Sequence, residues 1–420
     1  MLKKLARSIR EYKLPVLLTL FFIAAEAAIE SLIPSITAKL VNNIKDGVSV
    51  AYILKTGGIL ALLAILSLSC GGIAGYTCAK ASAGFSKNLR KDMFRNIQRY
   101  SFGNIDKFSS SSLVTRMTTD VNNVQMAFMM IIRIALRAPL MLIFSIFMAF
   151  YIGGKLALGF VFIIPVLAGG LLLIAKFAMP AFRRVFKKYD RLNESVEENV
   201  RGMRVVKGFS REDYEKQKFA AASDDIRADF TKAEKIVSLN GPLMQICIYF
   251  NMVFVLTLGS YAILGGNSSI DVGEISAMLT YGFQVLMQLM MISMIYVMLT
   301  MSAESAKRIV EVLDEQPNIH NPENPVYEVK DGSVGFSGVN FKYSEHGKKF
   351  VISDINLKIE SGMTVGIIGG TGSSKSTLVQ LIPRLYDVNE GTVTVGGIDV
   401  RDYDLNTLRN AVGMVLQKNI

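Results

Sequence analysis

Six apolar stretches constrain this chain more than any other feature: residues 14–38, 53–79, 138–152, 156–175, 243–264 and 275–301. Each is long enough, or nearly so, to cross a hydrocarbon core of about 30 Å. The third reaches that length if it begins near Ile131, ahead of Arg133 and Arg137, which makes it 131–152. A chain that is 51% hydrophobic yet carries 46 Lys and Arg is too apolar for a soluble enzyme of that basicity, and membrane insertion accounts for both numbers. The net charge of +11 does not point to nucleic acid, because the basic residues border long apolar runs without aromatic interleaving. Cys70, Cys78 and Cys247 lie within apolar stretches and read as small buried hydrophobes, with neither a disulfide framework nor metal-ligand spacing.

The connections give the orientation. Gly153-Gly154-Lys155 is all that separates the third and fourth spans, and a short Gly-Asn-Ser-Ser stretch with Asp271 separates the fifth and sixth. Two long loops, 80–130 and 176–238, are dense in Lys and Arg, so the positive-inside rule puts them and both termini in the cytoplasm. Residues 1–13 repeat Leu2, Leu5, Ile9 and Tyr12 at helical spacing among Lys and Arg, as an interfacial helix would; no small-residue cleavage site follows, which excludes a signal peptide. Both long loops keep helical periodicity with mixed charge. A leg of about 25 residues continuing a membrane helix projects nearly 40 Å at roughly 1.5 Å per residue. The periodicity breaks at glycine in 101–107 and again in 202–209. These are candidate tips, and their Phe102, Ile105, Val205, Val206 and Phe209 suit a surface pressed on another domain better than a free solvent turn.

After the sixth span, 303–313 reads as a charged amphipathic helix and 316–325 as a Pro/Asn-rich linker. From Tyr327 onward short β patterns follow at 334–343, 351–359, 365–368, 391–395 and 412–416, with a turn at Gly396-Gly397 and a helix-prone piece over 399–410. The run at 365–368 feeds a glycine-rich turn that closes on Lys375-Ser376-Thr377 and opens a helix over 378–386, the strand–loop–helix setting of a phosphate-binding loop. Gly369, Gly370 and Gly372, with Thr371, Ser373 and Ser374 between and after them, let backbone N–H groups wrap a polyphosphate. Lys375 then reaches its β and γ phosphates and the Ser376 hydroxyl takes a place on Mg²⁺. One position departs from GxxxxGK[ST]: Ser374 stands where glycine is required. If that position demands a left-handed backbone the cost is roughly 1–2 kcal/mol; if it is already near-helical, Ser is tolerated.

Six spans, giant cytosolic loops, a linker helix and a P-loop region together resemble an ABC transporter of the exporter type, over the whole chain. The fold this implies is an all-α six-helix transmembrane domain with long cytosolic helical extensions (1–301), then a linker (302–325) and a partial α/β P-loop NTPase domain (326–420). Tyr343 in Val-Asn-Phe-Lys-Tyr looks like the aromatic that stacks on adenine, 391–399 like the following β segment, and Val415-Leu416-Gln417 like the Q-loop. In the family that glutamine contacts Mg²⁺ and the attacking water, so Gln417 is the catalytic and second metal candidate. Residues 101–107 and 202–209 resemble the two coupling helices, the second of which usually docks on the partner subunit. The LSGGQ signature, the Walker B strand with its glutamate and the switch histidine are not present in the 420 residues, which implies a chain truncated after the Q-loop with little ATPase activity alone.

The resemblance implies ATP and Mg²⁺, a multi-pass protein of the cytoplasmic membrane, and one half of a dimeric exporter of hydrophobic or amphipathic drugs or lipids. Ser374 favours a heterodimer over a homodimer, and a non-hydrolysing, nucleotide-sensing subunit is the alternative. For the substrate path, Met287, Met290, Met291, Met294, Met298 and Met301 fall largely on one helical side with Gln284 and Gln288, which fits either plain packing or an adaptable cavity. Glu26 and Glu30, one turn apart in the first span, are expected to face a water-filled pathway or lie near the outer surface, where a lipophilic cation would suit them.

Overall fold

The computed structural model describes residues 1–265, 270–343 and 349–415, except the side chains of Leu2, Phe186, Asp190, Glu194 and Met301. Gln417, the catalytic and metal candidate, lies outside the described residues. The chain divides into two compact units: residues 9–86 with 123–304, and residues 1–8 with 87–122 and 305–420.

The first unit is helical because backbone groups in hydrocarbon have no water to bond and must satisfy each other within the segment. Its helices belong to α1 (Lys13–Lys45), α2 (Val50–Ile97), α4 (Val121–Gly153), α5 (Leu158–Arg201), α6 (Met203–Gly208), α7 (Glu212–Val237), α8 (Asn240–Leu264) and α9 (Val272–Asp314); α3 (Phe102–Phe108) lies in the second unit. Among the described residues five continuous helical runs are long and apolar enough to cross a membrane, and one of them, Ser110–Arg201, contains both α4 and α5 joined through the turn Gly154–Ala157. The third and fourth apolar stretches of the sequence therefore fall in a single run. Each helix outlasts its apolar stretch: α9 continues through the charged 303–313 segment without a break. The core joins Phe160, Leu167 and Leu171 of α5 to Met244, Cys247 and Val255 of α8 and to Met278, Tyr281 and Leu286 of α9. All three cysteines are free and buried, as small apolar residues would be.

In the second unit β1 (Val334–Phe341), β2 (Ile352–Ile359), β3 (Glu390–Val395) and β4 (Ile398–Asp399) form one antiparallel sheet in the order β2-β1-β3-β4. Its buried face (Phe336, Val339, Phe341, Val393, Val395) packs on Leu381 of α10 (Lys375–Leu381) and Leu408 of α11 (Leu405–Ala411). Three expectations fail here. Residues 365–368 are not a strand: Val365 and Ile367 are each 44% exposed and Ile368 is 97% exposed. Of the strand expected over 412–416, residues 412–415 are not a strand and Val415 is 87% exposed, while Leu416 lies outside the described residues. A buried parallel strand needs parallel neighbours and cover on both faces, and among the described residues neither run has them. The helix expected over 378–386 stops at Leu381: Ile382 keeps helical angles (φ −63°, ψ −53°), but Pro383 has no N–H to carry the ladder on and Arg384 turns to φ +51°.

Candidate functional site

The glycine-rich turn lies open to solvent from Gly369 to Ser373, and Gly372 adopts φ +84°. A Cβ at Gly369 would stand 2.7 Å from Ser373 Oγ, so the Ser373 hydroxyl would have to swing away from its place beside Lys375. Lys375 opens α10 and folds its ammonium back over the turn, donating to the carbonyls of Gly369 (2.7 Å) and Gly370 (2.8 Å) and to Ser373 Oγ (3.2 Å). Ser376 is exposed beside it, Thr377 is buried, and among the described residues the Ser376 hydroxyl has no hydrogen-bond partner. A cation held at the mouth of an exposed amide-lined turn, with a free hydroxyl next to it, fits a polyphosphate and its Mg²⁺.

Ser374 resolves the question left by the sequence. Its φ is +64° and ψ +20°, so the position does require the left-handed conformation. A side chain there costs roughly 1–2 kcal/mol, of which about 0.4–1 kcal/mol is offset by the stiffer unfolded chain. Ser374→Gly is therefore expected to stabilise the start of α10 by up to about 1 kcal/mol, slowing amide exchange over 375–381 severalfold; unchanged exchange would contradict a strained loop.

Tyr343 does reach the loop. Its hydroxyl shares a 2.8 Å hydrogen bond with Thr377 Oγ1, and its half-exposed ring stands edge-on to Phe341 (4.9 Å between centroids) and Tyr386 (5.1 Å). Tyr386 donates to Asp106 Oδ2 at 2.7 Å and meets the ring of Phe102 at 5.9 Å, so the first tip, α3, rests on the same unit that carries the loop. Burial, the hydrogen bond to Asp106 and the nearby Asp106 charge all push the Tyr386 hydroxyl above its usual range, keeping it a donor.

The apolar residues singled out in this tip are not its anchor. Phe102 and Ile105 are half-buried, whereas Asn104 is fully buried. Its Oδ1 accepts from Ser101 N (3.1 Å) and Ser101 Oγ (2.5 Å), and its Nδ2 donates to Glu315 Oε1 (2.8 Å) and the Gln316 carbonyl (2.9 Å). The readable signal was the capping pattern Ser101-x-x-Asn104 at the helix start. Lys107 adds an ion pair to Glu315 at 2.8 Å. Burial raises the Glu315 carboxyl, but the Lys107 and Asn104 hydrogen bonds outweigh it and hold it below the ordinary range. Beyond the tip, buried Asp120 pairs with Arg308 of the linker helix at 2.5 Å. Asn104→Ala strands buried donors and acceptors at about 1–3 kcal/mol each, so α3 is expected to exchange its amides at least tenfold faster; exchange at the wild-type rate would show that another contact anchors it.

The second tip, α6, presents no buried residue, with Val205 61% and Phe209 75% exposed. Within the membrane unit, Glu26 and Glu30 meet Arg137 of α4: Nη2 is 2.6 Å from Glu30 Oε2 and 3.4 Å from Glu26 Oε1. Gly71 makes room, since a Cβ there would stand 3.2 Å from the Glu26 carboxylate. The sequence reading placed these carboxylates on a water-filled pathway or near the outer surface; the structure adds that they have a cation of the chain itself, Arg137, as partner. Along the methionine row, Met287 and Met298 are half-buried, Met290, Met291 and Met294 are exposed, and the Met301 side chain lies outside those described.

Comparison with known proteins agrees with this layout. Residues 16–290 match the ABC transporter transmembrane region family and residues 352–420 the ABC transporter family. An uncharacterized ABC transporter ATP-binding protein of Mycobacterium tuberculosis is 32% identical over all of this chain and 72% of its own length. One from Bacillus subtilis is 29% identical over 99% of the chain and 72% of its length. An ATP-dependent lipid A-core flippase of Desulfotalea psychrophila is 28% identical over the whole chain and 73% of its length.

Proposed function

This chain belongs to the ABC transporter family, as a fused half-transporter of the exporter type and a multi-pass membrane protein, and from that premise we propose that it binds ATP at 369–377 and exports hydrophobic or amphipathic compounds as one half of a dimer. The observation that carries the reading is the geometry of the turn: Lys375 poised over an exposed amide nest that begins a helix. Gly369, Gly370, Thr371, Gly372, Ser373 and Ser374 would enclose the phosphates with backbone N–H groups, and Lys375 and Thr377 would flank them. The Ser376 hydroxyl would hold Mg²⁺, which supplies charge neutralisation between the β and γ phosphates when bound. Tyr343 would face the adenine.

Six spans, with the two long loops and the nucleotide domain on the cytoplasmic side, follow from the charge distribution. The bare surface of the second tip supports a second subunit's nucleotide domain as its counterpart, because Val205 in α6 and Phe209 just after it are 61% and 75% exposed among the described residues. A lipid or lipid-like cargo is consistent with the exposed methionines of α9 and with the flippase relative. In lipid nanodiscs the chain is expected to bind ATP, and candidate amphiphiles are expected to raise its thermal stability in a dose-dependent way. No ATP binding in the presence of Mg²⁺ would end the reading.

The left-handed Ser374 favours one further reading, in which this subunit senses nucleotide without hydrolysing it and a different partner supplies the regular site. ATP affinity without turnover in the assembled dimer separates the two.

A further inference from the structure

Tyr343 sits where two demands on it conflict. Its hydroxyl is held by Thr377 in the first turn of α10 and its ring is held edge-on by Phe341 and Tyr386, with interplanar angles of 80° and 87°. A flat base takes an aromatic side chain face to face, an arrangement distinct from the edge-on one. The ring is half exposed, so a base can reach it, but turning it to lie along that base alters the angle to Tyr386 or breaks the bond to Thr377. Tyr386 is tied at its other end to α3, through its hydroxyl to Asp106 and its ring to Phe102. All these residues lie in one compact unit.

We propose that Tyr386 is a positioning residue through which Tyr343 reports occupancy of the nucleobase site to α3, the base and not the phosphates being the signal. The inference rests on the ATP reading of the turn. The phosphates meet the glycine-rich turn, Lys375 and Thr377; Thr377 reaches Tyr343 at its hydroxyl, whereas Tyr386 meets its ring. The base meets that ring. When Tyr343 turns toward the base, Tyr386 loses one of its three ring neighbours, Phe102, Phe341 and Tyr343, and the less constrained ring weakens the bond from its hydroxyl to Asp106.

The experiment compares ATP with inorganic tripolyphosphate, which offers the phosphates without the base, on the full chain in nanodiscs, reading amide exchange over 102–108. Saturating ATP is expected to speed that exchange about fivefold, the scale of one weakened hydrogen bond, while tripolyphosphate leaves it unchanged. Tyr343→Leu should make ATP behave like tripolyphosphate. Tyr386→Phe keeps the ring and removes the hydroxyl; α3 should then exchange quickly from the start and ignore ATP. Equal effects of ATP and tripolyphosphate, or bound ATP with no effect on 102–108, overturn the proposal and leave nucleotide binding standing. Failure of ATP to bind the wild-type chain removes both.

Discussion

Lys375→Ala is expected to weaken ATP binding by about a hundredfold or more while leaving the fold intact. The ammonium would trade three exposed hydrogen bonds to its own turn for charge-assisted bonds to two phosphates. Two such bonds at about 1.5 kcal/mol or more each amount to two decades in affinity. The existing bonds are exposed, so losing them costs the folded chain little. Titration with a fluorescent ATP analogue in nanodiscs reads the affinity, and the thermal midpoint reads the fold. Wild-type affinity in the variant would mean that the nucleotide, if bound, is not held by this turn.

Arg137→Ala is expected to be the most destabilising single change in the membrane unit. It removes the ion-pair partner of Glu26 and Glu30 in the first span, leaving Glu26 only the weaker field of Arg133, and a charged side chain at mid-membrane costs about 2.5–3.5 kcal/mol on insertion scales. A loss of about 3 kcal/mol should appear in denaturant unfolding from lipid or detergent. Adding Glu26→Gln and Glu30→Gln to the same chain should recover most of it, because the three side chains form one unit and their effects are not additive. A variant as stable as wild type would show that the cluster is solvated. The pair also changes what a transport experiment on the two carboxylates means: Glu26→Gln with Glu30→Gln alone leaves Arg137 uncompensated, so a transport defect in that double variant reports broken packing as readily as lost cargo contacts.

The helices were largely readable, because apolar length against a bilayer thickness is a one-dimensional quantity. Their continuation into the charged legs was readable too, from mixed-charge helical periodicity, and α2 and α5 do run far past their apolar stretches; the residue at which each helix ends was not. The antiparallel strands β1, β2 and β3 came out within a residue or two at most ends, each bounded by turn residues. The runs at 365–368 and 412–415 have the same apolar, β-branched character and did not form strands. Local propensity is equal in both cases; what differs is whether neighbouring strands exist to accept the edge.

The phosphate loop is a different kind of signal. Glycine spacing followed by Lys-Ser-Thr states a backbone requirement within nine residues, so its location was available from the letters alone. The apolar lengths that place helices in a membrane and the charge asymmetry of their loops are available in the same way. Folding in three dimensions settled the rest: Ser374 in a left-handed backbone, Asn104 as the buried anchor of α3, Tyr386 standing between Tyr343 and Asp106, and Arg137 between two glutamates 107 and 111 residues away. These are choices of partner made across long separations. Each depends on which surfaces packing brings within about 3 Å, the range of a hydrogen bond, a distance that no local pattern in the chain encodes.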